Sequence, residues 1–369
     1  MAMRPLGPFS LRRRSKGQRF VKPWGQTGRL ERYTTVRTAL AVTTCVACML
    51  PSRLAHGQTI TTEAALSAGY STDDVTAAAV QARAFGDLKG GVRVFGEASW
   101  ARSSDDDNDN DAFTAAYPYG NRVEIIEAYA ERMFRPREAI AGIRAGRFRT
   151  PFGIYNASDH AYSGFLRPPL LRYDEYSGVS NSFLEHGADL IIGVPRLTVE
   201  AALGVPADVG PSVRRSGLDS VIRVQSYSGP LIAGVSHIRT SPLRSAEVDH
   251  GRAHFTGLDL RWTNNGIQLR GEWMTGHPSV GTTTTGWYTD GLIHLEGMGP
   301  VTAVTRLERL WTEEPAERLS ATRQTIGARV RVVGGFSLSV NLVHREGDLK
   351  DYPPTSLDVG LTWSGRHLQ

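Results

Sequence analysis

The chain has 369 residues, 39 of them glycine, two cysteines and a formal net charge of +5. The positive sign belongs to the first stretch: residues 1–57 hold eleven Lys or Arg against one acid, Glu31, and the remainder carries about −5. That removes nucleic acid as an expected partner. Both cysteines, Cys45 and Cys48, also lie in the first stretch, so residues 58–369 have no thiol or disulfide chemistry, and no cofactor is implied.

Residues 1–57 read as a secretory leader. A basic region ends at Arg37, and an apolar run from Thr38 to Leu50, too short to span a bilayer, is broken by Pro51. Ala55-His56-Gly57 then offers small residues where a signal peptidase reads, so cleavage is expected after Gly57. Residues 58–369 form the expected second unit, with no apolar stretch long enough for a transmembrane helix.

From Thr59 onward, sixteen short alternating segments follow one another, roughly 60–70, 75–85, 91–101, 123–134, 139–149, 188–194, 197–205, 218–227, 231–239, 254–263, 266–275, 286–295, 300–311, 323–332, 335–345 and 355–364. Tight turns such as Asn264-Asn265-Gly266 alternate with longer loops. Such sorting of connections suits an up-and-down antiparallel barrel in an outer membrane, with an even strand number and both ends in the periplasm. One face of each segment is apolar, as in Phe336, Leu338, Val340 and Leu342, and the other polar, as in Gln268, Arg270 and Glu272. A soluble sandwich with one wet face alternates in the same way. Tryptophan separates the two: Trp100, Trp262, Trp273, Trp287, Trp311 and Trp363 fall at or near segment ends, as do Tyr70, Phe134, Tyr227, Phe255 and Phe336, where a membrane barrel places its aromatic belts. The expected fold is therefore an all-β, sixteen-stranded transmembrane barrel in the cell outer membrane.

The longest unpatterned stretch follows the fifth segment, where Thr150-Pro151 stops the alternation. Sixteen strands, a long third outer loop, and GRFRTPFG at 146–153 leading into it resemble the general and phosphate-selective porins of Gram-negative outer membranes. The resemblance implies that residues 150–187 fold toward the lumen and narrow it, and that three barrels associate as a homotrimer. The last segment, 356–369, is similar to the terminal strand of outer-membrane proteins, although it runs on to Leu368-Gln369. The lysine cluster of the phosphate-selective branch has no counterpart, since no lysine lies between Lys89 and Lys350.

A pore constriction needs opposed charges held close. The candidates are Asp159, Asp174 and Glu175 facing Arg147, Arg149, Arg167 and Arg172, with Glu127 and Glu131 on the preceding strand pairing with Arg147. Further lumen arginines are Arg83, Arg93, Arg223, Arg261, Arg270, Arg306, Arg329, Arg331 and Arg345, and acids share the polar faces, so a mixed-charge pore is expected. Tyr155, Tyr162, Tyr173 and Tyr176 are candidates for a sugar-stacking track or for loop anchors. The run Asp105 to Asp111 resembles the start of a Ca²⁺ loop but has Asn110 and Ala116 where the glycine and the bidentate Glu belong, so no metal site is expected there. GTTTTG at 281–286 reads as a loop tip. The function that follows is passive diffusion of small hydrophilic solutes or ions, with membrane lipid and lipopolysaccharide around the barrel and no catalytic step. The alternatives are a structural or adhesive barrel and, further off, a barrel hydrolase built on serine and histidine at the rim.

Overall fold

A computed structural model describes residues 60–73, 75–88, 90–104, 123–154, 164–172, 184–206, 214–215, 217–240, 243–244, 252–295, 299–314, 318–348 and 353–368. The expected leader and the acidic run at 105–111 lie outside these residues. Eighteen strands follow in chain order. The first half comprises β1 (Ile60–Ser71), β2 (Thr76–Leu88), β3 (Val92–Ser103), β4 (Val123–Phe134), β5 (Ile140–Arg149), β6 (Leu184–Val194), β7 (Leu197–Pro206), β8 (Arg214–Arg215) and β9 (Asp219–Ser228). The second half comprises β10 (Leu231–Arg239), β11 (Leu243–Arg244), β12 (His254–Asn264), β13 (Ile267–His277), β14 (Thr283–His294), β15 (Val301–Glu313), β16 (Arg318–Arg331), β17 (Phe336–Gly347) and β18 (Thr355–Leu368). β8 and β11 pair only with each other; the other sixteen close into one antiparallel barrel, sealed by β1 against β18. Closure leaves no unpaired strand edge, which hydrocarbon would not tolerate.

The barrel is inside out relative to a soluble protein. Ile326, Leu203 and Ile125 stand 65%, 59% and 57% exposed on its outer face, whereas Arg306, Glu308, Arg323 and Asp358 are buried on the inner one. A soluble sandwich does the reverse, so this polarity decides against one. Register places all six barrel tryptophans on the outer face, Trp100 beside Val80 and Trp363 beside Leu66, for example. Tyr227 and Phe255 instead turn inward. Phe255 is fully buried in an apolar cluster inside the barrel, and the Tyr227 hydroxyl meets the side-chain amide of the inward Gln225.

Connections sort by end. One end carries the turns at 89–91, 135–139, 195–196, 229–230, 265–266, 295–300 and 332–335, together with Ile60 and Leu368. At 265–266, Asn265 and Gly266 both take positive φ, as a two-residue hairpin turn requires. The other end carries 72–75, 104–122, 150–183 and the later, shorter loops, so 150–183 is the third loop of that end. The loop tip expected at 281–286 is partly strand: β14 begins at Thr283, and hydroxyl contacts join Thr284 to Thr312 and Thr275 to Thr285. β-branched threonines favour this pleated setting, which the flanking glycines masked in the sequence.

Candidate pore-lining site

Two networks line the interior, and the chain builds them differently. On the wall formed by β1–β7, small side chains alternate with carboxylates. Glu97 on β3 is the hub of the first network: it accepts from Gln81 at 2.8 Å, Arg83 at 2.8 Å and Arg149 at 2.5 Å. A β-bulge between Glu97 and Ala98 leaves Ile126 as the extra residue in β4, so that Glu127 still faces inward. Glu127 meets the Arg149 side chain at 3.4 Å and its backbone N–H at 3.1 Å. Below them, Arg144 of β5 is shared by three acids: Glu131 at 3.0 Å, Asp189 at 3.3 Å and Glu200 at 3.7 Å. Its guanidinium also lies 4.8 Å above the Tyr129 ring, which stacks on Phe95.

The wall formed by β9–β18 is covered. Residues 164–172, from the third loop, lie against its inward side chains. Leu166 N–H donates to Asn341 at 2.9 Å, and Asn341 donates back to the Gly164 carbonyl at 3.2 Å. Arg306 donates to the Arg167 carbonyl at 2.7 Å and Arg323 to the Pro168 carbonyl, while Glu308 accepts from Leu170 N–H at 2.6 Å. A buried loop must have its backbone polar groups paired. Pro168 and Pro169 help by having no N–H to satisfy. Arg306 and Arg323 are themselves held by Asp290 and Glu308, each at 2.6 Å. Arg167 reaches the seam of the barrel, meeting Asp358 at 2.7 Å and Asp73 at 3.0 Å, and Asp73 also binds Arg345 at 3.1 Å.

Apolar contacts complete the seat. Phe152, Leu170 and Leu171 join the inward Phe148, Ile238, Phe255, Met274, Tyr288 and Leu310, and Phe165 sits with Leu292 and Val304 beneath the Arg306 guanidinium at 4.0 Å. Gly360 is required by this seat: a Cβ there would stand 2.5 Å from the Leu166 side chain.

Arg149, Glu127, Glu131 and Arg167 therefore lie inside the barrel, the first two together and Arg167 across from them in the covered wall. Arg147 does not lie inside. It pairs in register with the outward Ala128, and its guanidinium reaches the Ile126 carbonyl at 3.3 Å and His186 at 3.5 Å. The expected pairing of Arg147 with Glu127 and Glu131 is thus corrected: Arg149 takes Glu127, and Arg144 takes Glu131. The sequence held the signal, since Arg147 shares its face with Ala141, Ile143 and Ala145, the apolar and hence outer face. Asp159, Asp174, Glu175 and the four loop tyrosines lie outside the described residues, as does the Arg172 side chain. Asp189 was missed because it stands in an otherwise apolar strand. Histidines His237, His277 and His344 do meet hydroxyls, but those of Thr256, Thr283 and Thr355 on the exposed outer side.

No protein-family model matches the sequence. No curated protein matches it either. Solved structures do match its fold. An anion-selective porin from Comamonas acidovorans superposes with a TM-score of 0.56 at 12% identity, over 84% of this chain and 99% of that one. The barrel has the fold of that porin. Pseudomonas putida OprB gives a TM-score of 0.56 at 9% identity, over 84% and 93% of the two chains. A loop-deletion mutant of OmpT, an outer membrane protein of Vibrio cholerae, gives 0.55 at 10% identity, over 84% and 99%. At these identities the likeness is one of fold.

Proposed function

We propose that this protein is a porin of the cell outer membrane that lets small hydrophilic solutes or ions diffuse passively through a mixed-charge lumen, with no catalytic step. The observation that carries this reading is the third-loop segment 164–172, hydrogen-bonded to inward side chains of β15, β16, β17 and β18. It occupies one side of a barrel wide enough for water and leaves the charged β1–β7 wall as the lining of a narrowed passage. The copies associate as a homotrimer through β1–β3, where alanines (Ala64, Ala68, Ala78, Ala82, Ala98) stand among the larger outward residues, whereas β12–β17 present leucine, isoleucine and tryptophan to lipid. Lipid and lipopolysaccharide surround the trimer.

Single-channel recording of the purified protein in a planar bilayer tests this. Stepwise openings grouped in threes are expected. A folded, heat-modifiable barrel that never conducts would overturn the reading and favour a structural barrel, for which the filled β9–β18 wall is the supporting observation.

A further inference from the structure

We infer that the passage selects for cations, and that Glu131, Asp189 and Glu200 around Arg144 are the residues that set this preference. The inference rests on the porin reading and adds the sign of the solute. Neither wall is a uniform patch, so the outcome depends on which charges a solute can reach. In the β9–β18 wall the charges are matched and covered: Arg306, Arg323, Asp290 and Glu308 have side chains no more than 2% exposed, sealed beneath residues 164–172. A charge neutralised by a partner and capped by protein contributes little field in the water beyond it.

In the β1–β7 wall, at mid-strand level, Arg144, Glu131 and Glu200 keep 18%, 13% and 17% of their side chains open to the lumen. Carboxylates are in surplus there, since Asp87, Glu97, Glu127, Glu131, Asp189 and Glu200 face Arg83, Arg93, Arg144 and Arg149. Asp189 makes the imbalance local. It is 1% exposed, its ion pair among the described residues is with the shared Arg144, and its carboxyl lies beside that of Glu200. Arg93 and Arg223, opposite Glu131 and Glu200 in register, are engaged by Asp87 at 2.9 Å and Asp259 at 3.1 Å. Three carboxylates around Arg144 therefore leave negative charge for a second cation, for which a solute cation competes with a proton. Arg144 is fixed by the Tyr129 ring and cannot swing to serve all three at hydrogen-bond distance. A small inorganic cation, or the ammonium or guanidinium head of an organic one, supplies the missing charge in passing. Arg261, Arg329 and Arg331 lie toward the turn end of their strands, away from this cluster, and Arg329 donates to Ser337 at 2.9 Å beside Gly164 of the loop.

The test is the reversal potential of the full-length pore in a KCl gradient at pH 8, where a proton competes least. A K⁺ to Cl⁻ permeability ratio of about three or more is expected. Glu131→Gln with Glu200→Gln should lower that ratio at least about twofold toward unity without closing the pore. Glu200→Gln alone, which loses only the 3.7 Å contact, provides a milder variant should the double one fail to fold. A wild-type ratio at or below unity, or a ratio unmoved in the folded variants, overturns the inference while leaving the porin standing. Absence of any conductance instead overturns the porin reading itself.

Discussion

The two halves of the barrel begin from the same strand plan and end as different surfaces. β9–β18 present arginine-acid pairs that are buried and partly covered by the loop. In β1–β7 the Arg149–Glu97 pair is equally buried, but the cluster around Arg144 stays partly open, with acid left over. The difference comes from the third loop. Its Arg167 and Pro168 carbonyls and its apolar Phe165, Leu166, Leu170 and Leu171 find partners where inward arginines alternate with inward leucine, valine and glycine. The same residue type, arginine, thus serves as a fastener on one side and as a channel lining on the other. Burial, more than charge count, assigns the role.

That contrast can be broken most severely from the covered side. Glu308→Ala leaves Arg323 buried without its carboxylate and removes the acceptor for Leu170 N–H; a loss of about 3–5 kcal/mol is expected in chemical unfolding of the refolded barrel. Single-channel conductance should rise as the loop comes away. Gly360→Val attacks the seat sterically, because its side chain would meet Leu166; a cost of about 1–3 kcal/mol and a noisier, larger conductance should follow. On the open side, Arg144→Ala removes the cation that three carboxylates share, and the K⁺ to Cl⁻ ratio should rise about twofold with little change in conductance. The smallest effect is expected from Arg147→Ala. This outward arginine should leave the reversal potential unchanged and stability within about 0.5 kcal/mol, and a selectivity change as large as that of Arg144→Ala would contradict its placement.

The strands were legible because a barrel wall enforces a period of two: 231–239 is read from the sequence as it stands in the structure, and most other strands differ by a few residues at an end. The loop tip read at 281–286 failed because glycines outweighed the β-branched threonines between them. Glu127 was legible as a lumen residue by the polar face of its strand. Arg149 instead shares the parity of the outward Arg147, and meets Glu97 and Glu127 only because it stands at the strand end, beside Thr150-Pro151. Arg147 was misplaced because neighbouring arginines in GRFR look equivalent, although its apolar face-mates give its direction. The bulge at Ile126 shows why parity alone is unsafe, since one inserted residue reverses every later face of a strand.

By itself, the sequence determined the barrel, its strand number and the sign of each face, since these follow from local alternation and from the impossibility of open strand edges in lipid. Only the tertiary structure decided which arginines meet which acids. Those pairings join residues far apart in the chain, Arg167 with Asp358 and Arg149 with Glu97, and depend on register, one bulge and the path of a loop across the interior. Which charges remain open to a solute was decided there too, because exposure inside a closed wall is a property of what lies over each side chain.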